Sequence, residues 1–302
     1  MHVFITGGSG WIGSAVVAEL LASGHALTGL ARSDASTAAL EAKGVDVRRG
    51  DLDDLDVIRS GARDADAVIH LANKHDWADM AGTNAAERAV AQTIGDALVD
   101  TGKPFLLASG LAGLTVGRVA TEDDASPFHG PESPRGGSEN LLLDFVDRGV
   151  GSVALRFSPT THGTGDHGFI ATLCQVARDR GVSGYPGEGQ NRWAAVHVAD
   201  AARMVVLGLE KAPAGTRLHA VAEEGIPTRV IAEAIGRAFD LPVAAIPADR
   251  IDEHFGWIGG FFARDMAGTS AATQRLLGWT PTGPTLIEDI DGGAYRPALR
   301  RV

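Results

Sequence analysis

The sequence has a single cysteine and few basic residues for its length of 302. Cys174 cannot form a disulfide within the chain, which excludes a disulfide scaffold and a cysteine-based zinc site, and is typical of a reducing, cytoplasmic compartment. Lys and Arg number 27 against 38 Asp and Glu, so the net charge is −11. That charge argues against a nucleic-acid partner, because phosphate contacts need clustered cations.

Long apolar runs are also absent. No segment approaches the roughly 20 apolar residues of a membrane-spanning helix. The N-terminus, MHVFITGGSG, becomes glycine-rich at once and has neither the basic region nor the long apolar region of a signal peptide. We therefore expect a cytoplasmic protein with no membrane partner, acting on a small molecule.

Short apolar, β-branched runs alternate with helical patterns through the first half of the chain. The runs that predict strands are His2–Thr6, Ala26–Ala31, Val45–Arg48, Ala67–Leu71, Phe105–Ser109 and Ser152–Phe157. Such alternation with short links is typical of an α/β protein with a doubly wound parallel sheet, the Rossmann arrangement. We expect a dinucleotide-binding domain over residues 1–160. A smaller, interleaved substrate-binding lobe should lie mainly in residues 161–302.

The segment ITGGSGWIG carries the strongest motif. Gly7, Gly10 and Gly13 follow a predicted strand and open a predicted helix. Glycines at these positions allow a sharp turn, a close approach of backbone to a pyrophosphate, and tight packing of helix on sheet. The helix N-terminus supplies free N–H groups, so Trp11 and Ile12 are candidate cofactor contacts as well.

The end of the second predicted strand favours NADP. An NAD site usually has an acidic residue here for the ribose hydroxyls, whereas this chain has Arg32 followed by Ser33. A guanidinium beside a hydroxyl suits a 2′-phosphate. Asp34 comes slightly later and could serve a ribose, which keeps NAD open as the alternative.

Six segments together resemble the extended short-chain dehydrogenase/reductase family, of the NAD-dependent epimerase/dehydratase type. They are TGGSGWIG at 6–13, GDLDD at 50–54, VIHLA at 68–72, FLLASG at 105–110, LRFSPTTHGTGDHGF at 155–169 and WAAVHVADAARMVV at 193–206. The resemblance implies a Rossmann fold, a nicotinamide cofactor and a possible homodimer. It also implies cofactor contacts at further strand ends, which here carry Asp51, Leu52, Leu71, Ala72 and Pro159.

The family's chemistry depends on a serine after the fifth strand and on a Tyr-x-x-x-Lys pair in the next helix. Ser109 matches the serine, but the pair aligns with Arg135 and Glu139. The only tyrosines are Tyr185 and Tyr295, and neither has a lysine four residues on. The usual acid–base pair is therefore absent, and we expect a non-standard proton donor.

Histidine is the obvious substitute, because its pKa lies near neutrality. His75 follows the fourth predicted strand, and His162 and His167 follow the sixth, where ligands of such sheets bind. Arg135 cannot act as an acid at neutral pH, but it could hold a carboxylate or phosphate. The histidine spacing matches no metal-ligand pair, so no metal is expected.

Other residues are expected to have structural roles. Ser138 should cap the helix it opens, with Glu139 in its first turn, and Asp200 should cap the helix after His197. An aromatic set could form an apolar roof over a substrate or the core of the smaller lobe: Tyr185, Trp193, Phe255, Trp257, Phe261 and Phe262.

Three functions remain open from the sequence. The first is an NADP-dependent oxidoreductase that transfers hydride to or from a small, hydrophobic carbonyl or alcohol. The second is an isomerase, epimerase or lyase that retains its cofactor. The third is a non-catalytic protein that binds or senses NADP.

Overall fold

The computed structural model describes residues 1–74, 76 and 78–296. Its strands are β1 (His2–Thr6), β2 (Ala26–Ala31), β3 (Asp46–Arg49), β4 (Ala67–His70), β5 (Pro104–Gly110), β6 (Gly151–Phe157), β7 (Thr160–His162), β8 (Ser183–Pro186), β9 (Arg192–His197), β10 (Thr216–Ala220), β11 (Glu223–Pro227) and β12 (Val243–Ile246). Its α-helices are α1 (Trp11–Ala22), α2 (Asp34–Glu41), α3 (Leu55–Asp64), α4 (Met80–Leu98), α5 (Ser138–Asp144), α6 (Phe169–Arg180), α7 (Val198–Lys211), α8 (Thr228–Phe239), α9 (Ile251–Phe255), α10 (Gly259–Phe262), α11 (Ala271–Leu277) and α12 (Leu286–Asp291).

Seven parallel strands form the central sheet, in the order β10-β6-β5-β4-β1-β2-β3. Helices cover both faces, which explains why the strands are apolar on both sides. In β1, Phe4 packs into the core on one face, while Val3 and Ile5 pack into the core on the other. The predicted doubly wound α/β fold is confirmed.

A smaller group of elements follows β6. Strands β11, β9 and β7 form a three-stranded sheet, and β12 pairs with β8. Their core contains Trp193, Phe255 and Phe262 among buried residues of α6, α8 and α12. Strand β10, however, returns to the central sheet beside β6, so the chain crosses between the two groups after residue 160.

Two predicted helix caps are wrong. The residue before α5 is Gly137, at φ +64°, and Ser138 is a buried helical residue that makes no cap hydrogen bond. At α7 the cap is the His197 side chain, which accepts from the N–H of Ala199. Asp200 instead binds Arg203 and the backbone at residues 282 and 283.

Candidate functional site

The glycine loop between β1 and α1 has the shape that a dinucleotide phosphate requires. Gly7 has φ +73°, and a Cβ there would lie 2.7 Å from the amide nitrogen of Ala72. A Cβ on Gly13 would lie 2.0 Å from the carbonyl oxygen of Gly7. Gly10 precedes α1, and no side chain caps that helix terminus. Its amides are therefore available to an anion, and the residues present fit a pyrophosphate.

Trp11 connects this loop to the segment after β6. Its indole nitrogen donates to the carbonyl oxygen of Thr161 at 2.8 Å. Its ring lies edge-on to the exposed ring of His167, 6.1 Å between centroids. A Cβ on Gly163 would be 3.4 Å from the same indole, so this segment fits closely around it. Ile12, beside Trp11, packs against the core under the sheet.

The end of β2 presents an unpaired cation. Arg32 is exposed and makes no ion pair or hydrogen bond with the described residues. Ser33 instead caps α2 in a reciprocal arrangement with Ser36. Asp34, the residue that kept NAD open, pairs with Arg49 of β3 at 3.0 Å. Arg49 was not found from the sequence, and its ion pair engages the acidic residue that follows Ser33.

Polar contacts connect the segments that follow β3 and β4. The Asp51 carboxylate accepts from the N–H of Asp53 at 2.8 Å, and Asp53 pairs with Lys74 at 2.7 Å. Leu52 and Leu71 are partly buried, each packed against a core cluster of the sheet. The ion pair between Asp53 and Lys74 joins two strand-end segments that the family resemblance identifies as cofactor contacts.

Ser109, near the end of β5, belongs to a buried polar network. Its hydroxyl donates to Glu139 at 2.6 Å. Both Glu139 oxygens accept from Arg156, which is fully buried and also contacts His219 at 3.2 Å. His219 bonds the carbonyl oxygen of Thr269 through Nδ1, so Nδ1 carries the proton and Nε2 accepts from Arg156. Burial, and then the charge of Arg156, lower the pKa of His219 to about 4.

Arg135, at the position of the missing tyrosine, is held firmly. Its backbone has φ +56°, a strained value for a residue other than glycine, and its N–H donates to Asn84 at 2.9 Å. Its Nη2 donates to Glu87 at 2.6 Å and to the carbonyl oxygen of Ala108 at 2.7 Å. Asn73 holds the other Glu87 oxygen at 2.9 Å. The side chain remains 35% exposed, beside the strand end that carries Ser109.

The histidine candidates differ from one another in their surroundings. His162 is fully buried, and its Nδ1 bonds Asp289 of α12 at 2.6 Å. Burial lowers the pKa of His162, against the opposing effect of Asp289. Its side chain therefore packs against α12 of the smaller lobe. His75 lies outside the described residues. Pro159 is partly buried directly after β6, where the sequence places it.

Half of the predicted aromatic roof is core. Trp193, Phe255 and Phe262 are all buried. Tyr185 is partly exposed. Phe169, Phe261 and Trp257 form a cluster in which the ring centroids lie 5.6 to 6.5 Å apart. Trp257 is 49% exposed. Ala112, three residues after Ser109, packs against the same apolar cluster as Phe169 and Phe261. An aromatic surface therefore lies close to the loop that leaves β5.

Several residues of this region were not found from the sequence. They are His70, Asn73, Glu87 and Arg49, together with the ion pair between Glu139 and Arg156. One signal was present: Arg156 interrupts the otherwise apolar strand SVALRF, and a charge in a buried strand requires a buried partner.

Two features are absent from residues 1–74, 76 and 78–296. No group of three or more His, Cys, Asp or Glu side chains is arranged to hold a metal ion. No helix within the same residues has both the length and the apolarity needed to cross a bilayer.

Comparison with known proteins places this geometry in a family. Two yeast proteins of uncharacterized function match almost end to end. One, from Schizosaccharomyces pombe, is 42% identical over 98% of this chain and 100% of its own length. The other, from Saccharomyces cerevisiae, is 41% identical over 96% and 98%. A ketoreductase of a farnesylated dihydroquinoline oxide from Stigmatella aurantiaca is 25% identical over 71% of this chain and 66% of its own.

Solved structures share the fold. A dTDP-glucose 4,6-dehydratase from Streptomyces venezuelae, solved with NAD bound, superposes with a TM-score of 0.76 at 21% identity, covering 97% of this chain and 96% of the other. A UDP-glucose 4-epimerase from Thermotoga maritima gives 0.74 at 18% identity over 97% of both chains. The model of one family matches residues 3–221. The chain belongs to the NAD dependent epimerase/dehydratase family.

Proposed function

We propose that the protein is an NADP-linked oxidoreductase that interconverts a carbonyl and an alcohol on a substrate with an apolar body. The observation that carries this proposal is the alignment of the glycine loop, the exposed Arg32 and Ser109 along the carboxyl edge of one parallel sheet. The amides of α1 would hold the cofactor diphosphate. When bound, the nicotinamide supplies hydride chemistry beside Ser109.

NADP is proposed over NAD because of the charges at the end of β2. Arg32 is exposed and unpaired within the described chain, while the acidic candidate Asp34 is engaged by Arg49. A 2′-phosphate would meet a guanidinium here instead of a carboxylate. NAD remains the alternative, and a direct comparison of NADPH and NADH affinities decides between them.

The aromatic surface and Arg135 favour an apolar substrate that also carries an anionic group. Phe169, Phe261 and Trp257 form a cluster of contacting aromatic rings, and Ala112, just after β5, packs against the same apolar cluster as Phe169 and Phe261. Arg135 Nη1 has no hydrogen-bond partner among the described residues, while Nη2 is held in place by Glu87. A carboxylate could bind to Nη1. Two relatives at lower similarity are named 2-alkyl-3-oxoalkanoate reductases, whose named substrates combine a ketone, a carboxylate and alkyl chains.

The test is a screen of carbonyl compounds that follows NADPH absorbance, with matched series of ketones, 3-oxoacids and sugar nucleotides. We expect consumption of NADPH with apolar ketones, and faster consumption when a carboxylate is present. A cofactor that copurifies and never exchanges, with isomerised product, would support the cofactor-retaining isomerase instead. Failure to bind either NADPH or NADH would refute the proposal.

A further inference from the structure

The hydroxyl of Ser109 has only one hydrogen, and Glu139 accepts it. The Oγ of Ser109 lies 2.6 Å from a Glu139 oxygen, and an ionised carboxylate can only accept. Ser109 therefore presents lone pairs alone to a substrate. A substrate oxygen that contacts Ser109 must bring its own hydrogen, as an alcohol does and a ketone does not.

The surroundings of Glu139 hold its carboxylate in place. Arg156 reaches both carboxylate oxygens, at 3.1 Å from Nε and 2.5 Å from Nη2. The guanidinium of Arg156 is fully buried and stays charged, so it holds the Glu139 carboxylate in a fixed orientation beside Ser109. Arg217 of β10 lies 3.8 Å from Glu139. His219 contacts Arg156 through its unprotonated Nε2, on the side of the guanidinium away from Glu139.

We propose that Ser109 and Glu139 form the proton path of the reaction, in place of the tyrosine and lysine that the family uses. The inference rests on the proposed function. In alcohol oxidation the substrate O–H bond breaks and its proton passes to Ser109 Oγ, while the Ser109 proton passes to Glu139 Oε2. The carbinol carbon loses a hydride to the bound NADP⁺ and becomes a carbonyl carbon. Carbonyl reduction is the reverse: it starts from protonated Glu139, which donates to Ser109 Oγ while the Ser109 hydroxyl donates its proton to the carbonyl oxygen.

In this scheme Ser109 is the catalytic residue, because it meets the substrate oxygen. Glu139 is a positioning residue that acts through Ser109 and stores the proton. A purely structural ion pair would join Glu139 to Arg156 and would not need the hydroxyl of Ser109. The two roles therefore differ in their effect on alcohol and ketone ligands.

The Glu139→Gln variant distinguishes the role in proton transfer from the purely structural role. The amide oxygen of glutamine would face the donors of Arg156, so its NH₂ would face Ser109 and reverse that hydrogen bond. We expect the affinity ratio for cyclohexanol over cyclohexanone to fall at least about tenfold, in complexes that cannot react: the alcohol with NADPH and the ketone with NADP⁺. Turnover in alcohol oxidation should fall by about 100-fold or more, and the residual rate should rise with hydroxide concentration.

Glu122→Gln is the matched control. Glu122 is another buried carboxylate, which bonds Thr273 and is not hydrogen-bonded to Ser109. It should leave the ligand ratio and the pH profile unchanged. If the Glu139 variant does not fold, Ser109→Ala and Ser109→Thr replace it: the first should lose turnover by the same factor, and the second should retain the path.

The outcomes distinguish the two proposals. The proton path alone is overturned if the wild-type protein turns over a carbonyl and the Glu139→Gln variant has the same ligand ratio and the same pH profile as the wild type. Retention of turnover in Ser109→Ala does the same. A wild-type protein that binds no nicotinamide cofactor and converts no carbonyl overturns the proposed function and the proton path together.

Discussion

Trp11 and Thr161 are hydrogen-bonded across 150 residues of sequence, and this bond joins the glycine loop to the segment after β6. Loss of the bond should loosen the loop that holds the cofactor. Trp11→Phe keeps an aromatic ring and removes the donor. We expect the free energy of unfolding to fall by about 1 kcal/mol, and the dissociation constant for NADPH to rise severalfold.

Trp279→Phe is the control for that change. Trp279 is buried, and its indole donates to the carbonyl oxygen of Asp200 at 3.1 Å. This variant loses the same kind of hydrogen bond outside the glycine loop, so it should lower stability similarly and leave cofactor affinity unchanged. Equal NADPH titration curves for the two variants would contradict the role given to Trp11.

Gly13 should not tolerate a methyl group. A Cβ at this position would lie 2.0 Å from the Gly7 carbonyl oxygen, and that oxygen belongs to the backbone of the loop. Gly13→Ala should therefore displace the loop, with an overpacking cost of about 1–3 kcal/mol and loss of measurable NADPH binding. Calorimetry and a fluorescence titration measure the two effects.

Gly260→Ala provides the comparison. Gly260 lies in α10, and a Cβ there has open space around it. Alanine is also the better helix former, so stability should stay level or rise slightly. If Gly13→Ala still binds NADPH, the loop accommodates the alanine Cβ, and the prediction is wrong.

The parts of the structure that depend on local pattern could be predicted from the sequence. Alternation of apolar strands and helices fixed the sheet, and glycine spacing located the turn at Gly7. The polar network could not be predicted in the same way. Glu139 contacts Ser109 and Arg156 across 30 and 17 residues, and nothing within five residues of Glu139 identifies either partner.

His162 also shows that long-range contacts could not be predicted from the local sequence. His162 follows the sixth strand, and its Nδ1 bonds Asp289, which lies 127 residues later in a helix that packs back onto β7. Ser138 fails for a local reason: glycines at 136 and 137 adopt positive φ and move the helix start, so the serine becomes a buried helical residue.

Arg32 should set the preference between the two cofactors. Arg32→Ala removes the exposed cation that would contact a 2′-phosphate, and a hydrogen bond to a charged group contributes about 1.5–3 kcal/mol. We expect NADPH affinity to fall by about 10- to 100-fold and NADH affinity to stay nearly constant. Titration of both cofactors with both proteins measures the change in ratio.

Arg59→Ala is a matched surface control, because Arg59 is partly exposed and pairs only with its helix neighbour Asp56 among the described residues. Its cofactor affinities should equal those of the wild type. An Arg32→Ala protein that loses NADPH and NADH affinity by the same factor would refute the phosphate contact.

His219 should make stability fall in mild acid. Its pKa is about 4 in the folded protein against a usual 6.5, chiefly because burial disfavours the charged form. Between these values the unfolded chain binds a proton that the folded chain does not, so the free energy of unfolding falls as pH falls. At 1.36 kcal/mol for each pH unit, the contribution reaches about 3 kcal/mol near pH 4.

His219→Gln isolates this contribution, because the glutamine oxygen can accept from Arg156 and its amide can donate to the Thr269 carbonyl without titrating. Denaturant unfolding at a series of pH values from 7 to 4 measures this effect. The free energy of unfolding should fall less steeply with falling pH in this variant than in the wild type. His129→Gln, at an exposed histidine, should follow the wild-type curve. Parallel curves for wild type and His219→Gln would mean that the pKa of His219 is the same in the folded and the unfolded protein. The neutral, Nδ1-protonated form assigned to His219 in the network would then be wrong.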